Sequence, residues 1–245
     1  MIDNQNLKGK IALVTGASRG IGKAISAALA GAGATVLLSA RTVEKLKEVK
    51  TEIEKGGGKA EVLPVDLSKT SDIISLFKDI KDKFERLDIL VNNAAIGIFG
   101  DMVDLTAEDL DNTFEVNVKS IFTTSKQALK LMIPQKSGYI INISSVQGVK
   151  AYKQQSIYAA SKHAVMGMSK ALAAEVQEHN IRISAILPGG VDTDLISDAR
   201  PDLDRSILIK PEDIASTVLY LLSLSDRAMV DQVVVRRFTS TPFNA

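Results

Sequence analysis

Tyr158 and Lys162 are separated by Ala159-Ala160-Ser161. On a helix this i, i+4 spacing sets both side chains on one face. A tyrosine with a pKa of about 10 is a poor acid or base at neutral pH. A lysine ammonium beside it favours the phenolate and is expected to lower that pKa. Such a pair can pass a proton to or from an oxygen, as the interconversion of a carbonyl and an alcohol requires. Chance also puts Tyr-x-x-x-Lys on solvated helices, so the surroundings must give the pair its meaning.

A second constellation is Thr15-Gly16-Ala17-Ser18-Arg19-Gly20-Ile21-Gly22, which follows the apolar run Ile11-Ala12-Leu13-Val14. The glycines leave the backbone and the following helix N-terminus open to a phosphate-bearing ligand. The spacing is neither Gly-x-Gly-x-x-Gly nor a triphosphate loop ending in Gly-Lys-Ser/Thr. We read Gly16, Ser18, Arg19, Gly20, Ile21 and Gly22 as cofactor-binding; the plainer alternative is a tight turn that serves helix packing. The acid that often holds an adenosine ribose after the second strand is missing, and Ser39-Ala40-Arg41-Thr42 stands there. A guanidinium at Arg41, helped by Arg19, suits a 2′-phosphate in charge and geometry. The expected cofactor is therefore NADP(H) in preference to NAD(H). Asp66, with Leu67 beside it, is placed for contact with the adenine end.

Both constellations need a scaffold, and the chain supplies an alternating one. Further apolar runs are 34–38, 61–65, 87–91, 139–143, 181–186 and 232–235. Several are too continuously apolar for a sheet with one wet face and fit parallel strands covered on both sides. Between them lie helical stretches at 21–30, 43–55, 73–84, 110–132 and 156–178, the fourth as one helix or two joined before Pro134. Pro211-Glu212-Asp213 reads as a helix start. The expected fold is α/β: a three-layer Rossmann fold with a doubly wound, seven-stranded parallel sheet. No linker divides residues 1–245, so one domain is expected, with a lid or substrate loop at 192–210.

Composition narrows the function classes. The chain has 245 residues, 45% of them hydrophobic, and a formal charge of +1. No global field favours nucleic acid or an anionic membrane. There is no cysteine and there are two histidines, His163 and His179, so thiolate chemistry and a cysteine- or histidine-rich metal centre are excluded and no metal is expected. The polar start and the lack of a spanning apolar run point to a cytoplasmic protein with no membrane partner.

Tyr158-x-x-x-Lys162, the glycine loop and Asn92-Asn93-Ala94 together closely resemble the classical short-chain dehydrogenase/reductase family over residues 8–236. That family usually has glycine where Ala95 stands. The resemblance implies that Asn93 and Ala94 support the sheet beside the cofactor. The family's catalytic serine lies thirteen residues before the tyrosine, which selects Ser145 over its neighbour Ser144. Its helical asparagine matches Asn117, with an implied role in holding a water of a proton relay. Pro188, Gly189, Val191 and Thr193 match the turn that passes the nicotinamide. Asn117, Ser145, Tyr158 and Lys162 thus form the expected catalytic set, with Tyr158 and Lys162 also touching the cofactor. Lys162 is expected to bind the nicotinamide ribose. The expected activity is hydride transfer between NADP(H) and a carbonyl or secondary alcohol.

The segment 138–145 is similar to that of 3-oxoacyl-[acyl-carrier-protein] reductases, which makes acyl carrier protein a possible partner. Those enzymes commonly close with Val-Asp-Gly-Gly, whereas this chain has Val235-Arg236-Arg237-Phe238. Ala94, Ile96, Ile98, Phe99, Val146, Gln147, Tyr152, Gln155, Leu195 and Ile196 are candidate pocket residues and favour a neutral small-molecule carbonyl. Residues 197–205 are expected to order on binding. A dinucleotide-binding regulatory protein without turnover is the different-class alternative. His163 is expected to be packed or interfacial, and no chemistry falls to it. The resemblance also implies a homodimer or homotetramer; Ala164, Val165, Met168, Ala171 and Leu172 could serve that interface or the core.

Overall fold

Apolar runs and amphipathic stretches alternate along the chain, and each becomes a strand or a helix. The computed structural model describes residues 7–199 and 204–242, without the side chains of 198 and 199. In order, the elements are β1 (Ile11–Thr15), α1 (Gly20–Gly31), β2 (Thr35–Ser39), α2 (Val43–Lys55), β3 (Lys59–Val62), α3 (Thr70–Phe84) and β4 (Ile89–Asn92). Then follow α4 (Ala107–Phe114), α5 (Ser120–Gln135), β5 (Gly138–Ile143), α6 (Ser156–Val176), β6 (Ile181–Pro188), α7 (Asp194–Ala199), α8 (Pro211–Ser223) and β7 (Gln232–Val235). The sheet has seven strands in the order β3-β2-β1-β4-β5-β6-β7, all parallel. This is the doubly wound fold that the alternation predicts. The order reverses between β1 and β4, and a crevice opens beyond the carboxyl ends of such strands.

Both faces of the sheet are covered. Ala12 and Val14 of β1 turn to one face, under Ile25 and Leu29 of α1 and Ile214 and Val218 of α8. Leu13 turns to the other, under Phe77 and Ile80 of α3 and Ala128 and Met132 of α5. Alternating side chains of one strand enter two cores, which is why the run carries no polar break.

Hydrogen bonds between buried polar side chains tie this scaffold together. Asn92 Nδ2 donates to Asn142 Oδ1 at 2.9 Å and to Ser125 Oγ at 3.2 Å, while Asn142 Nδ2 reaches Ser169 Oγ at 2.8 Å. β4 and β5 are thereby tied to α5 and α6. Asp88 accepts from the Ile11 N–H at 2.9 Å and pairs with Lys10 and Arg86. Burial pushes its carboxyl up, but the hydrogen bonds from Arg86 and Ile11 and the charge of Lys10 outweigh that and hold it below the usual carboxylate range.

Several expected boundaries move. β3 starts at Lys59 and stops at Val62, short of Pro64, which has no N–H for the ladder. β4 starts at Ile89, and before it the Leu87 N–H donates to Gln135 Oε1 at 3.0 Å. The helical stretch expected at 110–132 is two helices joined by a π turn at Glu115–Lys119. α5 runs past its expected stop and takes Pro134 into its last turn, before a left-handed Lys136. The expected lid contains α7 and a 3-10 turn at Arg205–Ile207, while residues 200–203 of it lie outside the described residues. Among the described residues no helix is long and apolar enough to cross a membrane. Of the residues named for a possible interface, Val165 is buried in the chain itself and Ala171 is exposed.

Candidate active site

The carboxyl ends of the strands open into a cleft of about 1450 Å³. At one end it is walled by the turn from β1 to α1. Gly16 and Gly20 have positive φ, 65° and 52°, which favours glycine at both positions. Asn93 clamps this loop: its Nδ2 donates to Thr15 O at 2.9 Å and its N–H to Thr15 Oγ1 at 3.0 Å. α1 carries no acid in its first turn and no side-chain cap, so its first N–H groups suit an anion. Gly16, Ser18, Arg19, Gly20, Ile21, Arg41, Asp66, Leu67, Asn93, Ala94, Pro188, Gly189, Val191 and Thr193 all line the cleft. Gly22 does not. It is buried beneath the loop, where a Cβ would stand 2.2 Å from Gly16 O. Close packing there is what requires glycine.

Arg41 follows β2 and is exposed, and its charge helps to lower the carboxyl of Asp66, after the larger effect of a hydrogen bond from Ser68. Arg19 pairs instead with Asp194 of α7, so the glycine loop and the lid region meet across the cleft mouth. Asp192 is likewise held by Arg205, at 2.5 Å.

The other end holds the hydroxyls. Ser145 precedes a 3-10 turn at Val146–Gly148; its Oγ accepts the Gln147 N–H at 3.1 Å and lies 3.5 Å from Pro188 O. Its hydroxyl is close enough to Tyr158 to pull the phenol's pKa down. Ser144 faces away, toward Lys162 O at 3.3 Å. Tyr158, Lys162, Ser144 and Ser145 are all buried and all line the cleft. Phe99 meets the Tyr158 ring edge-on at 5.6 Å between centroids. The Lys162 ammonium lies 5.6 Å from the Tyr158 ring centroid and donates to Ile143 O at 3.1 Å.

Burial dominates the protonation of this pair. It pushes Tyr158 up to about 12, against the opposing pull of the Ser145 hydrogen bond. It pulls Lys162 down to about 8. The expected depression of the tyrosine by the lysine is not met: desolvation of the phenolate is the larger effect, and the ammonium is turned to a main-chain carbonyl. Tyr158 is thus an acid that keeps its proton at neutral pH.

Asn117 is not on the cleft wall. It sits in the π turn with 0% exposure. Its Nδ2 donates to Ile96 O at 2.9 Å and Ser161 Oγ at 3.1 Å, and its Oδ1 accepts the Ile96 N–H at 2.8 Å. Both amide protons are engaged, so the side chain braces the loop after β4 against α6, and a relay water would have to donate to an Asn117 oxygen. His163 is exposed, not packed within this chain, and its Nδ1 lies 2.9 Å from Ala159 O. His179 is partly exposed beside Glu178 near the end of α6.

All ten expected pocket residues line the cleft, but the lining also includes Lys45, Lys150, Lys153, Arg205, Arg236, Arg237, Ser240 and Thr241. The chain after β7 folds back over the cleft, which the sequence reading missed; the Arg236-Arg237 pair was its one visible signal. The wall is therefore more polar and more basic than the neutral pocket expected. Gln147 adds to this: its Nε2 donates to Gln155, while its buried Oε1 meets no partner among the described residues.

A family profile described as short chain dehydrogenase matches residues 10–204. An oxidoreductase of Staphylococcus aureus (strain MRSA252), itself uncharacterized, is 36% identical over 230 residues, which span 94% of this chain and 98% of that one. A 3-oxoacyl-[acyl-carrier-protein] reductase of Thermotoga maritima is 34% identical over 237 residues, 93% of this chain and 96% of that one. Among solved structures, a metagenomic short-chain oxidoreductase in complex with NADP is 35% identical with a TM-score of 0.85, covering 96% of this chain and 100% of that one. An alcohol dehydrogenase from Thermococcus sibiricus complexed with 5-hydroxy-NADP is 28% identical with a TM-score of 0.88, covering 95% and 98%.

Proposed function

The chain belongs to the short-chain dehydrogenase/reductase family of oxidoreductases, and we propose that it uses NADP(H) to interconvert a carbonyl and a secondary alcohol, with Tyr158 as proton donor and acceptor. One observation carries this reading. The Ser145–Tyr158 hydroxyl pair and Lys162 share a cleft with the uncapped N-terminus of α1. When bound, a nicotinamide dinucleotide supplies the hydride. The glycine loop would take its phosphates, Arg41 its 2′-phosphate, and Lys162 its nicotinamide ribose. One Lys162 N–H is engaged by Ile143 O, leaving two for such hydroxyls.

The protein's part is to hold the substrate oxygen and move one proton. Ser145 and Tyr158 both donate to that oxygen as negative charge develops on it. Tyr158 then passes its proton, and in the alcohol direction takes one back. With its pKa pushed up by burial, Tyr158 holds the proton that reduction needs at neutral pH. Asn117 acts as a positioning residue, by fixing Ile96 and, through Ser161, the helix that carries Tyr158 and Lys162.

The preference for NADP(H) draws support from Arg41 and from the NADP complexes of similar structures. A second reading, reduction of 3-oxoacyl groups on a carrier protein, draws support from the Thermotoga relative. The departure from Val-Asp-Gly-Gly after β7 speaks against it.

The test is NADPH consumption by the purified protein over a carbonyl panel that includes a 3-oxoacyl thioester, with Tyr158→Phe in parallel. Turnover by the variant should fall at least about a hundredfold, while its NADPH affinity, read by fluorescence titration, stays within about twofold. Near-normal turnover in the variant would remove Tyr158 from the chemistry.

A further inference from the structure

We propose that Arg237 forms an anion subsite at the substrate end of the cleft, so that the substrate is a carbonyl compound or alcohol carrying a carboxylate or phosphate. This rests on the reductase reading above and narrows its substrate class.

β7 ends at Val235, and the two arginines that follow have different fates. Arg236 Nη1 donates to the carbonyls of Arg237, Phe238 and Ser240 at 3.0, 3.1 and 2.8 Å. It clasps the returning arm into a turn. Arg237 is partly buried and lines the cleft, and among the described residues no carboxylate or carbonyl accepts from its guanidinium. Its N–H groups are thus open to an anion from solution, which a guanidinium takes with matched fork geometry.

Its position is fixed from two sides. The Gly189 N–H donates to Val235 O at 2.8 Å, which ties the arm to the end of β6. The Arg237 side chain then runs past Gly190, where an added Cβ would stand 3.6 Å from its Cδ and 3.8 Å from its Nε. Pro188, two residues earlier, lies beside Ser145. The guanidinium is therefore at the end of the cleft where the nicotinamide and the substrate would meet, while Arg19 and Arg41 belong to the glycine-loop side. The nearby acids do not neutralise it, since Asp192 is held by Arg205 and Asp194 by Arg19.

The experiment compares an oxo acid with its methyl ester, and a ketose phosphate with the free ketose, in NADPH-dependent reduction by the wild type, Arg237→Gln and Arg237→Lys. The wild type should prefer at least one anion over its neutral partner by about tenfold or more in kcat/KM, expressed in KM, the scale of one charged hydrogen bond. Arg237→Gln should erase that ratio and Arg237→Lys should restore part of it, with thermal midpoints confirming that both variants fold. Equal rates on acid and ester in the wild type overturn the subsite, as does an equal loss on both in Arg237→Gln. A parallel rise in the NADPH dissociation constant overturns it as well, because the guanidinium then serves the cofactor. Reduction of neutral ketones with no anion preference sinks the subsite and spares the reductase reading. No reduction of any carbonyl sinks both.

Discussion

At Arg41 a guanidinium occupies the place, just past the second strand, where a carboxylate would hold an adenosine ribose. It is exposed in the cleft and close enough to Asp66 to help lower that carboxyl. Arg19, the other candidate for the 2′-phosphate, is paired with Asp194, so Arg41 carries most of the expected discrimination. Arg41→Ala should weaken NADPH at least about tenfold more than NADH, the scale of a charged contact. Titration of both cofactors checks this, and equal losses would refute the 2′-phosphate assignment. Residue types and spacing made Tyr158, Lys162 and Arg41 legible in the sequence. The protonation of Tyr158 and Lys162 was not legible, because it depends on burial by elements far away in the chain.

Elements show the same division. The turn from β1 to α1 was readable as a phosphate loop from its glycines, yet the three glycines do different work. Gly16 and Gly20 allow the turn, while Gly22 lets α1 pack against the loop. An alanine at 22 would put its Cβ 2.2 Å from Gly16 O and 2.5 Å from Asn93 Nδ2. Gly22→Ala should therefore destabilise the protein by about 1–3 kcal/mol and push the loop out of shape for phosphate. A lower unfolding midpoint together with weaker NADPH binding is the expected result. A variant with wild-type midpoint and affinity would show that the loop can yield. The arm after β7 was illegible for a related reason. Nothing in Arg236-Arg237-Phe238 says that one arginine will fold the chain back by binding three carbonyls.

For the whole molecule, the buried ionisable groups set how stability follows pH. Asp88 is held below the usual carboxylate range, so it contributes stability above that range that is lost as pH falls through its folded value. Lys162 falls from 10.5 to about 8 on folding. Between those values the unfolded chain holds the extra proton, so stability should rise with pH over that window. The full effect is at most about 3 kcal/mol. Tyr158 works the other way: raised from 10.0 to about 12, it keeps its proton in the folded state and lowers stability above about pH 10. Thermal unfolding between pH 8 and 10 should show a stabilising contribution in the wild type that Lys162→Met lacks. A pH response identical in both proteins would mean that the ammonium is not buried as described.

The sequence by itself determined the parallel sheet, the glycine turn, the Tyr158–Lys162 pair and the family. Those properties come from local periodicity, residue type and spacing, which a linear chain displays. Only the tertiary structure decided that Tyr158 keeps a high pKa, that Asn117 braces a loop below the cleft, and that Gly22 is packing. It also brought Arg237 to the wall of the cleft. Each of these depends on which distant groups meet and which lose water, and neither is written in the order of the residues.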